Sequence, residues 1–145
     1  ALAAEVPGTE VADDLSDAVG RSDIVSAATM STGPVIEGAW LRPGTHLDLI
    51  GAYRPDMREA DDDALRRSRI FVDSRGTTLH HIGELRIPLA AGTITEEDVV
   101  ADHRQPDRFR RESAKEITLF KNGGGAHLDL MVAHHILAAW EARQA

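Results

Sequence analysis

Asp23-Ile24-Val25-Ser26-Ala27-Ala28-Thr29 is a continuous run of small and apolar residues, ended by Gly33-Pro34. Such a run suits a strand buried on both faces of a parallel sheet; a half-exposed strand alternates polar and apolar residues. Working outward, residues 45–50, 70–73 and 117–120 read as further short strands, and 9–12 as a strand after the turn Pro7-Gly8. Between them the spacing turns helical. Residues 13–19 carry Leu15, Ala18 and Val19 behind an N-cap at Asp13 or Asp14, and residues 56–68 form a second helix. Residues 80–88 read as a short helix. Residues 95–100 start like one, with Thr95 as N-cap and Glu96, Glu97 and Asp98 in the first turn. Residues 102–112 are arginine-rich and linker-like, and Gly38 to Pro43 form a connector carrying Trp40. Residues 126–143 form a long last helix whose apolar face is Leu130, Val132, Ala133, Ile136, Leu137 and Trp140. Strands alternating with helices define an α/β fold: an open sheet, mostly parallel, with a long C-terminal helix.

The bulk numbers exclude several functions. At 145 residues the chain can enclose one substantial core. Its net charge of −8 disfavours nucleic acid and anionic membrane surfaces, which need a basic face. The absence of cysteine removes disulfides, thiolate catalysis and thiolate metal sites. No apolar run approaches the roughly 20 residues needed to cross a bilayer. The start lacks the basic segment of a secretory signal, so a cytoplasmic protein is expected. That start, Ala1-Leu2-Ala3-Ala4-Glu5, reads as the last turn of a helix whose beginning is absent.

In open α/β sheets, ligands bind at the carboxyl ends of the strands. Three segments fall at such ends: Ala28-Thr29-Met30-Ser31, Ile50-Gly51-Ala52-Tyr53-Arg54-Pro55 and Lys121-Asn122-Gly123-Gly124-Gly125. Small residues let a flat ligand lie against the backbone, and amides left free there can bond to it. A turn would use the same glycines. The G-x-G-x-x-G signature of a pyrophosphate site is missing, and the triple glycine does not replace it. No metal site is expected. His80-His81 and His134-His135 are adjacent pairs that point apart, and Asp61-Asp62-Asp63 lacks the alternation of a calcium loop.

The order of these segments resembles the ornithine cyclodeaminase/mu-crystallin family. The resemblance is carried by the opening run and by Pro34-Val35-Ile36, Trp40-Leu41-Arg42-Pro43-Gly44-Thr45-His46 and Ile50-Gly51-Ala52-Tyr53-Arg54-Pro55-Asp56-Met57-Arg58-Glu59. It continues through Ile70-Phe71-Val72-Asp73-Ser74, Gly92 with Ile94-Thr95, and Lys115-Glu116-Ile117-Thr118-Leu119-Phe120-Lys121-Asn122-Gly123-Gly124. It implies a homodimer of two-domain subunits that binds NAD or NADP and a small amino- or imino-acid substrate. Residues 1–125 would be the later part of a Rossmann-type domain. Residues 126–145 would be a helix packing toward a substrate and dimerisation domain. The first strand, the glycine-rich turn and the substrate-carboxylate anchors would lie outside the chain.

Carried over by position, the resemblance makes Ala28, Thr29 and Met30 cofactor-lining residues. It sets Ile50, Gly51 and Ala52 beside the nicotinamide ring, and Asn122 and Gly123 in a loop closing over it. One position departs from the pattern. Where ornithine cyclodeaminases carry an aspartate for proton handling, this chain has Tyr53. A phenol is not an ionised base at neutral pH without a large perturbation. Tyr53 is thus a candidate catalytic residue for a different step, or a residue that only packs near the cofactor. Arg54-Pro55-Asp56 looks more like the ketimine-reducing mu-crystallin branch. The leading expectation is an NAD(P)H-dependent reductase of cyclic imino acids such as Δ1-pyrroline-2-carboxylate, in proline and amino-acid metabolism. The alternatives are ornithine cyclodeaminase, giving proline and ammonia, and a non-catalytic cofactor- or small-molecule-binding protein.

Overall fold

A computed structural model describes residues 5–144 of the chain. The helical turn expected at the start falls, except for Glu5, outside the described residues. Residues 9–12 form no strand. The first helix, α1 (Leu15–Arg21), begins where Asp14 accepts a hydrogen bond from the Asp17 amide at 3.0 Å. An Asp17–Arg21 pair spans its exposed face, and Val19 turns into the core.

Five strands follow among the described residues: β1 (Ile24–Ala27), β2 (His46–Leu49), β3 (Ser68–Val72), β4 (Val99–Ala101) and β5 (Ile117–Lys121). They form one sheet in the order β1-β2-β5-β3-β4, and every pairing is parallel. Alternation divides the sheet's two faces. Leu47, Leu49, Ile70, Val72, Val99, Ile117 and Leu119 point into one core with Ile36, Leu41, Leu65, Leu79, Leu85 and Ile94. His46, Phe71, Thr118 and Phe120 line a cleft of about 460 Å³ with Phe109 and Arg111.

Several elements differ from the sequence expectation. The opening run is not buried on both faces: Ile24 is 68% exposed, and among the described residues β1 is an edge strand paired with β2. The second helix, α2, covers only Asp62–Arg67. Residues 58–61 bond instead to the segment before the connector. The Val35 and Ile36 amides donate to the Glu59 carbonyl, Arg58 N donates to Ser31 O and Asp61 N to Ile36 O. The Asp61 carboxylate then caps α2 through Ala64 N and also accepts from Gly38 N.

α3 (Arg75–Thr78) and α4 (Gly83–Ala90) follow β3. α4 contains Pro88 and stops before Gly92, whose φ of 71° reverses the chain. The helix start expected at 95–100 is one 3-10 turn, Glu96–Asp98, with Thr95 and Asp98 forming a capping box. The β-branched pair Val99-Val100 then joins the sheet as β4. The segment read as a linker covers part of the outer sheet face. Phe109 stacks on Phe71 with centroids 5.1 Å apart, and Arg69 pairs with Glu112 at 2.9 Å. The last helix, α5 (Ala126–Ala142), leaves Leu130, Val132, Ile136, Leu137 and Trp140 exposed.

Leu119 is fully buried in the middle strand of the sheet. Leu119→Ala is expected to cost about 2–5 kcal/mol, read as a lowered urea midpoint.

Candidate functional site

The parallel register ends four strands in one row. Ala27 lies beside Leu49, Leu49 beside Lys121, and Lys121 beside Val72. The ladder runs one residue further on each side: Ile50 N donates to Ala27 O at 2.9 Å, Asn122 N to Leu49 O at 3.0 Å and Asp73 N to Lys121 O at 3.2 Å. The three segments read from sequence as ligand-binding therefore emerge side by side at one end of the sheet.

Beneath them sits a buried carboxylate. Glu59 has no exposed surface. Its Oε1 accepts from the Thr29 amide at 2.6 Å and the Thr29 hydroxyl at 2.9 Å. Its Oε2 accepts from the amides of Gly51 at 2.8 Å and Ala52 at 3.2 Å. The backbone of Glu59 is held in turn by Glu84 of α4, whose carboxylate accepts from Glu59 N at 2.7 Å and Ala60 N at 3.0 Å. Lys121, also fully buried, donates from Nζ to Leu49 O at 3.1 Å. Burial pushes the Glu84 carboxyl above its ordinary range, opposed by its two amide donors and by Lys121. Burial likewise pulls the Lys121 ammonium below its ordinary range, against the charges of Glu84, Glu59, Asp73 and Asp48.

The predicted residues divide around this centre. Ala28, Met30 and Ile50 are exposed at the row, and Thr29, Gly51, Asn122 and Gly123 are partly buried in it. Ala52 is different. Its side chain is wholly buried with Met57 and Ile82, so it can offer no surface to a ligand. The amides of Thr29, Gly51 and Ala52, expected to be free, are taken up by Glu59. Tyr53 is 57% exposed beyond the second segment, with the Arg54 guanidinium 6.0 Å from its ring centre. Arg54 also grips Asp56 through two nitrogens, at 3.1 and 3.2 Å. In the third segment the Asn122 side-chain oxygen accepts from Gly124 N at 2.8 Å.

Sequence reasoning missed Glu59, Glu84 and Lys121. For Lys121 the signal was available: it shares the strand face of Ile117 and Leu119, so alternation alone points a lysine into the core. Glu59 was hidden by reading residues 56–68 as a helix, where it becomes one more acidic surface residue.

The row fits a flat, partly apolar ligand lying on backbone. A Cβ on Gly51 would stand 1.7 Å from Thr29 O, and one on Gly123 would stand 2.7 Å from Thr78 Oγ1. These positions exclude side chains and keep the surface low, while Met30 and Ile50 present apolar groups beside it. Next to Gly123, Asp73 Oδ1 accepts from Ser74 N and Thr78 Oγ1, and its buried Oδ2 has no hydrogen-bond partner among the described residues. No group of three or more metal-binding side chains occurs among the described residues. No described helix is long and apolar enough to cross a membrane.

Residues 3–144 match the model of the ornithine cyclodeaminase/mu-crystallin family. The chain belongs to that family. Within it, Δ1-pyrroline-2-carboxylate reductase of Paracoccus denitrificans is 62% identical over 126 residues, which are 85% of this chain and 40% of that protein. The structure of Thermococcus litoralis Δ1-pyrroline-2-carboxylate reductase in complex with NADH and L-proline superposes with a TM-score of 0.74 at 35% identity. That superposition covers 78% of this chain and 36% of the other. An archaeal alanine dehydrogenase dimer with bound NAD gives 0.79 at 31% identity, covering 92% and 42%. The sheet is thus the Rossmann-type sheet of this family, and the chain spans about two fifths of the length of the curated relatives it matches.

The position of Glu84 generates a pH prediction. A carboxyl whose folded pKa is raised above its ordinary 4.5 contributes stability that is complete below that value and is lost as pH rises through the folded pKa. The stability difference between parent and Glu84→Gln is therefore expected to be larger at about pH 5 than at about pH 7.5. Urea unfolding at the two pH values measures it.

Proposed function

We propose that this chain is the later part of an NAD(P)H-dependent reductase of cyclic imino acids, with Δ1-pyrroline-2-carboxylate as substrate and proline as product. The observation that carries the reading is the 62% identity over 126 residues with the Paracoccus reductase. The Thermococcus enzyme, bound to NADH and L-proline, supports the same cofactor and product. On this reading residues 1–125 are the later Rossmann domain. The exposed apolar face of α5 packs toward a substrate and dimerisation domain carried by the rest of a longer polypeptide. A cytoplasmic homodimer is the matching assembly, in line with the alanine dehydrogenase dimer.

When bound, the nicotinamide supplies the hydride for the imine carbon. The chain's own residues do the positioning. Thr29 and Gly51 bring two backbone segments into contact, leaving no side chain between them. Met30 and Ile50 would give the ring an apolar flank, and Asn122 and Gly123, in the loop after β5, would border it. Tyr53 stands exposed at the edge of this surface, where its phenol holds a proton or orients a water for the nitrogen being reduced. The cyclodeaminase alternative needs a base at this position, and Tyr53 does not provide one. A purely binding role would leave cofactor affinity without turnover.

The test follows absorbance at 340 nm with the full-length polypeptide, NADH or NADPH, and Δ1-pyrroline-2-carboxylate, alongside ornithine with an ammonia readout. Imine-dependent loss of absorbance is expected. Ammonia from ornithine without net cofactor change would sink the reading. In the same assay Tyr53→Phe is expected to lower kcat by roughly tenfold or more, with the dissociation constant for NADH unchanged.

A further inference from the structure

We propose that Glu59 is a positioning residue for the nicotinamide end of the cofactor, acting through the backbone of Thr29, Gly51 and Ala52. The inference rests on the reductase reading for the identity of the ligand; the geometry beneath the ligand stands on its own.

An ionised carboxylate is acceptor-only and offers about four lone-pair sites on two oxygens. Glu59 receives four donors, two on each oxygen, and they come from two different strand-end loops. It therefore acts as a bracket between the loop after β1 and the loop after β2. The bracket is tight. Gly51 lies so close to Thr29 that its Cβ would stand 2.3 Å from Thr29 N and 2.5 Å from Glu59 Oε1. The bracket is itself anchored, because Glu84 grips the amides of Glu59 and Ala60 from α4. The third loop is tied in from β5, where buried Lys121 bonds to Leu49 O, the last residue of β2. Movement of the Glu59 side chain thus shifts Thr29 and Gly51 relative to each other, and with them the surface formed by Met30 and Ile50.

Glutamine cannot substitute. Whichever way the amide is turned, its NH₂ meets backbone N–H donors at either Thr29 or Gly51 and Ala52. The strand-end surface then opens, while the remainder of the nucleotide site, built from other parts of the polypeptide, is unaffected.

The experiment titrates full-length parent and Glu59→Gln with two probes: NADH, followed by its fluorescence, and ADP-ribose, which lacks the nicotinamide. Glu59→Gln is expected to weaken NADH by about tenfold or more and ADP-ribose by less than about twofold. Val99→Ala, on the strand at the far edge of the sheet, is expected to lower the melting temperature and leave both affinities unchanged. If NADH and ADP-ribose weaken equally, or neither weakens, the positioning role is overturned. If Glu59→Gln does not fold, Glu84→Gln carries the same test through the anchor. About threefold weaker NADH with unchanged ADP-ribose then supports the role, and equal effects on the two probes overturn it. A parent that binds neither probe overturns the reductase reading, and this inference with it.

Discussion

The arrangement of this molecule depends on a charge placed where water cannot reach it. A carboxylate left without partners in an apolar interior costs more than folding can recover, so its oxygens must be hydrogen-bonded there. Glu59 meets that requirement with backbone and hydroxyl donors from two strand ends, and in doing so it fixes those strand ends. The donors gain as well. An amide at the end of a parallel strand has no further ladder partner, and each one buried without an acceptor is destabilising. One side chain therefore resolves the termination of β1 and of β2 together. Glu84 does the same for the chain that carries Glu59, at the bend leading into α2. Lys121 adds a cation to the two carboxylates from the third strand of the row.

The position of this cluster follows from the sheet. All pairings are parallel, so every strand leaves by the same end, and the register puts Ala27, Leu49, Lys121 and Val72 level. The loops that follow must turn within a few residues of one another. Side chains there compete for space, and glycine at 51 and 123 resolves two close approaches. What remains is a surface of backbone edged by small and apolar residues, the usual location for a ligand of an open α/β sheet. The cleft on the outer face, lined by Phe71, Phe109 and Phe120, belongs to a different layer and contributes nothing to this row.

The sequence carried most of the sheet and the position of the strand-end loops, because both depend on local signals. Short runs rich in apolar residues located β1, β2, β3 and β5, and glycine marked the loops after β2 and β5. The failures came where long-range pairing overrode local propensity. Residues 58–61 lie in the stretch read as a helix, yet the backbone of Arg58, Glu59 and Asp61 bonds to residues 31–36. Val99 and Val100 follow an excellent helix cap, but β3 offers an open edge, and a β-branched pair takes it. The burial of Ala52 was invisible for the same reason, since it depends on Met57 and Ile82 folding back beneath it. Glu59 and Glu84 look like ordinary surface acids until the bend between them is known. Of the buried charges only Lys121 could be read in advance, from strand alternation.

The chemistry assigned to Tyr53 depends on what each candidate reaction needs. Cyclodeamination removes a proton, expels ammonia and later restores the hydride, so it needs a group that accepts a proton near neutral pH. Reduction of a cyclic imine needs one hydride and one proton delivered to nitrogen, and no base. A phenol is the right kind of group for the second and the wrong kind for the first. Its surroundings agree. Arg54 lies over the Tyr53 ring, and its own charge is already committed to Asp56, so it orients the ring as a cation–π partner while the carboxylate offsets its charge. The phenol stands exposed just beyond the strand-end segment Ile50-Gly51-Ala52. On the reductase reading, a bound nicotinamide would supply the hydride to the imine carbon, and a phenol at the rim would be suited to supply the proton to the nitrogen.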